Sequence, residues 1–250
     1  MTVAQTFTRP AEISEEAKVQ LREVSTATLT SQLLKRGFRN TFLAGLRPTR
    51  PDLRMVGYAC TLRYVPSRED LGFQVNYDNT RDIQRIAVER VGPDDVLMID
   101  ARGQVGAASF GHIIATRITQ RGVAGLVTDG GLRDSPEFAG LELPAYYRAP
   151  HATTSSVLHQ AVALNEPIGC AEVYIEPGDV VVGDAEGVVV IPWKVAADVA
   201  AGAVEQEAVE EFALERVLAG EAIVDLYPLA EQRRPEFEAW LAARQQPAHD

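Results

Sequence analysis

Apolar and polar positions alternate along the chain with a period that changes from segment to segment, and this pattern predicts a mixed α/β fold. Residues 15–36 have apolar positions at helical spacing, which predicts two helices, the second capped by Ser25 or Thr26. Residues 55–65 are rich in strand-forming side chains. Residues 78–90 have the pattern of an amphipathic helix.

The centre of the chain predicts a strand–helix–strand unit. The segments 95–100 and 123–129 are almost continuously apolar, as expected of strands buried on both faces. Between them lie a small-residue loop, 101–111, and a helix at 112–121. Elements of these lengths imply parallel pairing of the two strands through a right-handed crossover. Ser-Pro-Glu at 135–137 then predicts the start of another helix.

The last third of the chain changes character. Within 172–192, two β-branched runs flank turn sequences and predict an antiparallel element. Beyond Trp193 the pattern is helical, with a first helix of about 20 residues or more and a second around 229–244. Because little sheet is left for so long a helix to cover, we expect it to pack on another subunit.

Geometry brings two loops of the central unit together. A helix over 112–121 runs back about 15 Å, and a strand over 124–128 climbs about 16 Å. The start of the helix and the loop GGLRD at 130–134 therefore meet at one sheet edge, where open parallel sheets bind ligands. The unsatisfied N–H groups around residues 112–114 can bind a carboxylate. Because Gly111 has no side chain, the ligand can approach these groups closely.

The loop at 130–134 adds two charged groups to this carboxylate-binding site. Across the cleft, the planar guanidinium of Arg133 can make a second, bidentate contact to the ligand. Asp134 offers a hard oxygen ligand for Mg²⁺ or Mn²⁺, and such a cation polarises a carbonyl and stabilises an enolate. The combination suits a 2-oxo acid. Spacing alone leaves open that the loop is a turn with a surface ion pair, that His112 is a solvated or capping residue, and that Asp129 only shapes the loop.

Composition narrows the class of protein. The net charge of −11 gives no general attraction to nucleic acid. No apolar run approaches the roughly 18 residues of a membrane span, and the polar first residues are unlike a signal peptide, so we expect a cytoplasmic protein. Cys60 and Cys170 form no CxxC pair and are expected to be buried and inert. His151 and His159 are expected in a loop and on a helix surface. Dinucleotide, phosphate-loop, HExxH and GxSxG motifs are absent from the sequence.

Five segments, taken in order, resemble the RraA-like family, which includes class II 4-hydroxy-4-methyl-2-oxoglutarate/4-carboxy-4-hydroxy-2-oxoadipate aldolases. They fall within residues 24–192 and are VSTATLTSQLL, MVGYACTL, PDDVLMID, GHIIATRITQRGVAGLVTDGGLRD and PGDVVVGDAEGVVVIP. The resemblance implies a three-layer ββα-type α/β domain with a parallel central βαβ unit, assembled as a homotrimer or hexamer. It places the domain at 25–193, between helical extensions at 1–24 and 194–250, the latter expected to make oligomer contacts.

The resemblance also implies site residues. In the family, twenty residues separate the acid of a Gly-Asp-Leu-Leu helix start from an Arg-Asp pair, and twenty residues lie between His112 and Arg133 here. The implied substrate contacts are Gly111, His112, Ile113, Ile114 and Arg133, with the metal on Asp134. Histidine replaces the family's acid at residue 112. It can transfer protons near neutral pH but does not copy the acid's charge, so aldol cleavage and decarboxylation both stay open.

Two functions of different classes follow. The first is a divalent-metal-dependent lyase acting on a small 2-oxo or hydroxy di- or tricarboxylic acid, with Arg133, His112 and Asp134 as catalytic residues and Mg²⁺ or Mn²⁺ as cofactor. The second is a non-catalytic regulator that binds a ribonuclease, as some members of the family are named. A methyltransferase, another name given to such sequences, is disfavoured because a glycine-rich cofactor loop is missing from the sequence.

Overall fold

The computed structural model describes residues 12–70, 78 and 80–245, which form a mixed α/β fold. The helices are α1 (Glu15–Glu23), α2 (Thr26–Lys35), α3 (Ile83–Arg90), α4 (His112–Gln120), α5 (Ala196–Leu218) and α6 (Arg234–Gln245). The strands are β1 (Arg47–Pro48), β2 (Met55–Pro66), β3 (Asp95–Asp100), β4 (Ala108–Phe110), β5 (Gly125–Thr128), β6 (Gly131–Leu132), β7 (Ala145–Tyr147), β8 (Ala149–Pro150), β9 (His159–Leu164), β10 (Ile168–Cys170), β11 (Val173–Ile175), β12 (Val180–Gly183) and β13 (Val188–Ile191).

One large sheet organises the molecule, with strand order β1-β7-β5-β3-β2-β12-β13. Strands β2, β3, β5 and β7 are mutually parallel, and the outer strands β1, β12 and β13 pair antiparallel. The 12-residue β2 pairs with β12 through its first part and with β9 through its last, and the β9 register shifts between Arg63 and Tyr64. Because one strand takes two different antiparallel partners, the sheet curls around it.

Three layers follow from the burial of both faces of the sheet. Strand β3 sends Leu97 and Ile99 into a core shared with α3 and α4. Its alternate residues, Val96 and Met98, pack on the opposite side against the β10–β11 hairpin. All four side chains are fully buried. Helices on one face and a hairpin on the other give the ββα layering, which confirms the predicted fold class.

Most predicted elements are confirmed. Helices α1 and α2 lie within 15–36, and Ser25 caps α2, its Oγ accepting a hydrogen bond from the N–H of Thr28 at 3.1 Å. Strand β2 occupies the predicted 55–65 segment. Strands β3 and β5 pair in parallel on either side of α4, as the crossover predicted. Strands β12 and β13 form the antiparallel element.

Four boundaries differ from the predictions. Helix α3 begins at Ile83 rather than 78, because Asp82 caps it, its Oδ1 accepting from the N–H of Arg85 at 2.9 Å; residue 79 of the predicted helix lies outside the described residues. The predicted loop 101–111 contains β4. The predicted helix after Pro136 is a short 3-10 turn, and α6 begins at Arg234 rather than near 229.

The long helix α5 packs in large part against other elements of the same chain. Its 23 residues span about 35 Å. Val199 and Ala203 join a core with α1, α2 and the β12–β13 pair. Phe212 packs with Phe237 and Trp240 of α6. Packing of α5 on another subunit, and the domain boundaries at 24/25 and 193/194, stay predictions. None of the described helices has both the length and the apolar character needed to cross a bilayer.

Candidate active site

A small three-stranded sheet joins the two loops that the sequence predicted to meet. Strand β4 pairs in parallel with β6, and β6 with β8. Phe110 of β4 lies opposite Leu132 of β6, and the N–H of Arg133 donates to the carbonyl oxygen of Phe110 at 2.9 Å. The loop after β3 therefore contributes a strand of its own. This strand sets Gly111 directly beside Arg133.

The start of α4 leaves free donors at this point. Gly111 is the N-cap, has extended backbone angles (φ −138°, ψ 167°) and brings no side chain. The first intrahelical bond runs from the N–H of Ala115 to the carbonyl of Gly111 at 3.0 Å. Within the described part of the chain, the N–H groups of residues 112–114 have no acceptor. They carry the positive end of the helix dipole and can bind a carboxylate.

Arg133 and Asp134 form a loose pair beside this helix end. Arg133 Nε lies 3.4 Å from Asp134 Oδ1, and the two side chains are 50% and 40% exposed. Asp134 has a left-handed backbone (φ 56°, ψ 36°), a conformation that aspartate adopts more readily than most residues. A methyl group added at Gly111 would lie 3.5 Å from Asp134 Oδ2, so the carboxylate faces the cap glycine. Both groups remain available to a ligand.

A cavity of about 200 Å³ opens at this position. Its walls come from α3, β4, the start of α4, the loop after β6 and the 154–155 segment; the lining residues are Gln84, Arg85, Ala108, Phe110, Gly111, Ile113, Ile114, Arg133, Asp134, Thr154 and Ser155. Sites for drug-sized ligands occupy roughly 300–1,000 Å³. This cavity therefore suits a small metabolite.

Asp129 shapes the loops and lies behind the site. The residue is 2% exposed, and its carboxylate accepts from the N–H groups of Ala101 (2.6 Å), Gly103 (2.8 Å) and Ala171 (3.2 Å). Burial raises the pKa of this carboxyl, the charge of Asp100 adds to the rise, and the three N–H donors oppose it. Of the two roles that the sequence left open, the contacts fit the positioning of loops.

The donor set around Asp134 is compatible with one mode of metal binding. Within the described residues there is no cluster of three or more His, Cys, Asp or Glu side chains that would hold a metal ion. A closed protein cage of the zinc type therefore does not fit. Asp134 is the one carboxylate among the residues lining the cavity. Mg²⁺ often binds through one or two carboxylates with water and substrate oxygens completing its shell, and Asp134 fits that mode.

The structure does not bring the imidazole of His112 into the cavity wall. The ring lies edge-on to Phe138, 6.3 Å between centroids, and Nε2 lies 3.4 Å from Thr116 Oγ1. His151 lies in a loop, as expected. The prediction for His159 was wrong: it begins β9, is 5% exposed and stacks on Tyr64 at 5.4 Å. Burial lowers its pKa.

Both cysteines are buried, as the sequence predicted. Cys60 is 7% exposed and Cys170 is fully buried. Burial raises the pKa of the Cys170 thiol well above its usual value, with the nearby charges of Asp129 and Asp100 adding to the rise. A thiol with a raised pKa is a poor nucleophile. The expectation of an unreactive residue is therefore supported for Cys170.

The sequence analysis missed the polar residues Gln84, Arg85, Thr154 and Ser155 of the cavity wall, of which the first two lie on α3. Gln84 is 8% exposed, and its amide nitrogen donates to the carbonyl oxygen of Ser109 at 2.8 Å and to the hydroxyl of Tyr64. Arg85 is half-buried and lines the same cavity. Their sequence signal was an amphipathic helix, whose polar face is usually solvated. Local sequence carried no signal that this helix packs beside the start of α4.

The fold and the site together define an α/β protein with a small cavity, lined by the start of α4 and the Arg133–Asp134 pair, at the carboxyl edge of a parallel sheet. The RraA-like family model, described as Aldolase/RraA, matches residues 23–190. This chain belongs to that family.

The three individual proteins described next are 25–37% identical to this chain. A protein of Halalkalibacterium halodurans, provisionally named a 4-hydroxy-4-methyl-2-oxoglutarate aldolase, is 37% identical over 107 residues, which is 42% of this chain and 50% of that protein. The match thus spans half the length of that relative. The crystal structure of Streptomyces coelicolor RraAS2, titled an unusual member of the RNase ES inhibitor RraA protein family, has a TM-score of 0.71 at 30% identity, covering 81% of this chain and 98% of that one. An uncharacterised Pseudomonas syringae protein gives 0.74 at 25% identity, with 87% and 99% covered.

Proposed function

We propose that this protein is a divalent-metal-dependent lyase that breaks a C–C bond of a small 2-oxo acid, by retro-aldol cleavage or decarboxylation. The observation that carries the proposal is the meeting of Arg133, Asp134 and the free N–H groups of residues 112–114 around one small cavity. The aldolase name of a relative supports the reaction class.

The chain's own groups would bind and orient the substrate. The carboxylate of the 2-oxo acid would accept from the N–H groups at the start of α4, where the helix dipole adds to the attraction. The Arg133 guanidinium would donate to the carboxylate and to the 2-oxo oxygen in a bidentate contact. Mg²⁺ or Mn²⁺ held by Asp134 would supply Lewis-acid polarisation of that carbonyl.

The bond changes balance without a further co-reactant. In a retro-aldol cleavage, the C4 hydroxyl loses its proton, the C3–C4 bond breaks and its electron pair forms the enolate of the 2-oxo acid. In a decarboxylation, CO₂ leaves and the same enolate forms. Arg133 would stabilise the enolate oxygen, and protonation at C3 would release pyruvate. Since the His112 ring is outside the cavity wall, we assign the first proton transfer to cavity water, with His112 exchanging protons with that water.

The decisive experiment measures pyruvate release from oxaloacetate and from 4-hydroxy-2-oxoglutarate, with Mg²⁺, with Mn²⁺ and with a chelator. We expect metal-dependent turnover that Asp134→Ala reduces at least 100-fold. Glu137→Ala is the matched control, because Glu137 is an exposed carboxylate in the adjacent turn that does not line the cavity. Full activity in Asp134→Ala would exclude the metal assignment.

The second candidate is a protein-binding regulator of a ribonuclease. The similarity to RraAS2, with its title naming the RNase ES inhibitor family, favours it. This function requires a surface and no cavity chemistry. Stoichiometric binding to a ribonuclease that survives Arg133→Ala, together with no turnover of any 2-oxo acid, would favour the regulator over the lyase.

A further inference from the structure

We propose that the buried hydroxyls of Ser109 and Thr128 are positioning groups for Arg133, acting through one hydrogen-bond chain that fixes the loop before it. The inference rests on the proposed function for its activity readout and adds to it the residues that set Arg133 against the start of α4. It is carried by a bulge at Ser109, by the order of donors that the contacts allow and by the burial of both hydroxyls.

Ser109 forms a β-bulge between the two halves of the site. The residues before and after it on β4 pair with consecutive residues of β6, Gly131 and Leu132, so two steps along β4 match one step along β6. Ser109 is therefore the extra residue of the bulge. Beyond the bulge, β4 continues into the N-cap Gly111 and β6 continues into Arg133. The bulge thus sets which part of the helix start lies beside Arg133.

The side chain of Ser109 belongs to a chain of three hydrogen bonds. Ser109 Oγ lies 3.0 Å from the carbonyl oxygen of Gly131 and 2.7 Å from Thr128 Oγ1, and the backbone nitrogen of Gly130 lies 3.1 Å from Thr128 Oγ1. A carbonyl oxygen accepts and cannot donate, and a hydroxyl has one proton to donate. Ser109 therefore donates to Gly131, Thr128 donates to Ser109, and the Gly130 N–H donates to Thr128. The chain runs in one direction and closes on the Gly130–Gly131 dipeptide.

Burial makes this order of donors matter. Ser109 and Thr128 are both 0% exposed, and a buried polar group left without a partner is costly. The carbonyl of Ser109 is held as well, since it accepts from Tyr64 Oη at 2.9 Å and from Gln84 Nε2 at 2.8 Å. Gly130 has no room for a side chain, because an added Cβ would lie 2.6 Å from a neighbouring methyl group. The dipeptide is held by groups of neighbouring residues, and the two hydroxyls are among them.

Breaking the chain should displace Arg133 and leave the fold intact. In Thr128→Val a methyl group takes the place of the hydroxyl, and both the Gly130 N–H and Ser109 Oγ lose a hydrogen-bond partner. Because Arg133 would bind the ligand carboxylate through charged hydrogen bonds, we expect Thr128→Val to weaken pyruvate binding with Mg²⁺ by roughly tenfold or more in titration calorimetry. Thr128→Ser keeps the hydroxyl and should bind pyruvate within about threefold of the wild type.

The matched control is Thr61→Val on β2. Thr61 is also 0% exposed, and its hydroxyl donates to the carbonyl oxygen of Glu166 at 2.6 Å, away from the residues that line the cavity. This variant should lower the melting temperature, as Thr128→Val does, and leave pyruvate affinity within about threefold. Unchanged pyruvate affinity in Thr128→Val, or an equal loss in Thr61→Val, overturns the inference.

A double-mutant cycle tests whether the chain acts through Arg133. In an Arg133→Ala background, adding Thr128→Val should change the remaining pyruvate affinity by less than about threefold, because the group being positioned is already gone. A loss as large as that in the wild-type background means that the hydroxyl acts elsewhere, and it overturns the inference. If Thr128→Val does not fold, Ser109→Ala breaks the chain from its other end, with the same expected results.

A measurement without ligand separates this inference from the lyase proposal. The Arg133 N–H donates to the carbonyl of Phe110 beside the bulge, and the Val190 N–H donates to Thr41 in a distant part of the sheet. In hydrogen exchange followed by NMR, Thr128→Val should speed exchange at Arg133 at least about tenfold and leave Val190 unchanged. Unchanged exchange at Arg133 overturns the inference. If the wild type binds no pyruvate, the lyase proposal fails, and the exchange rate at Arg133 alone decides whether the hydroxyl chain holds this residue.

Discussion

The substitution Gly111→Ala, which adds one methyl group, tests whether the start of α4 binds the carboxylate of the ligand. Gly111 has φ −138°, which any residue adopts, so alanine fits the backbone. The new Cβ would lie 3.5 Å from Asp134 Oδ2 and 3.8 Å from Arg133 Cβ, which are ordinary contact distances. Alanine lowers the entropy of the unfolded chain but is a poorer N-cap than glycine, and these effects oppose each other. We expect the free energy of unfolding to change by less than about 1 kcal/mol.

Ligand binding should respond much more strongly than stability. The methyl group would lie at the N-cap of α4, 3.5 Å from Asp134 Oδ2, beside the free N–H groups where the ligand carboxylate is expected. Losing one hydrogen bond to a charged group costs about 1.5–3 kcal/mol, or roughly 10- to 150-fold in Kd. The assay is calorimetric titration of pyruvate with Mg²⁺, beside urea unfolding. Gly140→Ala is the control, because nothing lies within 4 Å of the methyl group it adds. If Gly111→Ala binds pyruvate as tightly as the wild type, the start of α4 is not the carboxylate-binding site.

Two further predictions concern stability. Burial raises the pKa of Asp179 to about 6, against about 3.9 in an unfolded chain. The native state therefore binds this proton more tightly, and the contribution of Asp179 to stability falls as pH rises from about 4 to about 6. In urea unfolding, the stability of Asp179→Asn relative to wild type should rise by about 2 kcal/mol between pH 4 and pH 7; a constant difference would contradict this. At Gly57, an added Cβ would lie 2.6 Å from the carbonyl oxygen of Asp94, so Gly57→Ala should cost about 3 kcal/mol or more, while Gly169→Ala, with nothing within 4 Å, should stay within about 0.5 kcal/mol. Equal melting temperatures for the two variants would show that β2 can move aside.

The elements set by local pattern could be predicted from the sequence. The apolar runs of β3 and β5 and the helix between them fixed a parallel unit, and its dimensions placed Gly111 near Arg133. Local pattern failed where one residue's backbone decides the outcome. The left-handed conformation of Asp134 precedes a 3-10 turn where an α-helix was predicted.

Contacts between elements far apart in sequence could not be predicted in the same way. The position of Arg85 depends on how α3 packs beside α4, and periodicity gives only the face of a helix, not its neighbour. The His112 ring packs edge-on to Phe138, which follows two further strands, β5 and β6, in the chain. Helix α5 packs against α1 and α2 from the beginning of the chain and against α6 from its end.

The buried carboxylate of Asp129 also has a consequence for how the site can diversify. It ties the turn after β3 and the hairpin residue Ala171 to the end of β5, so three segments share one rigid anchor. The first residues of α4 are outside this anchor. A substitution at residue 112 can therefore change the proton chemistry of the site while leaving the hydrogen bonds of Asp129 intact. We expect relatives to tolerate different side chains at residue 112 while the hydrogen bonds of the buried aspartate stay the same.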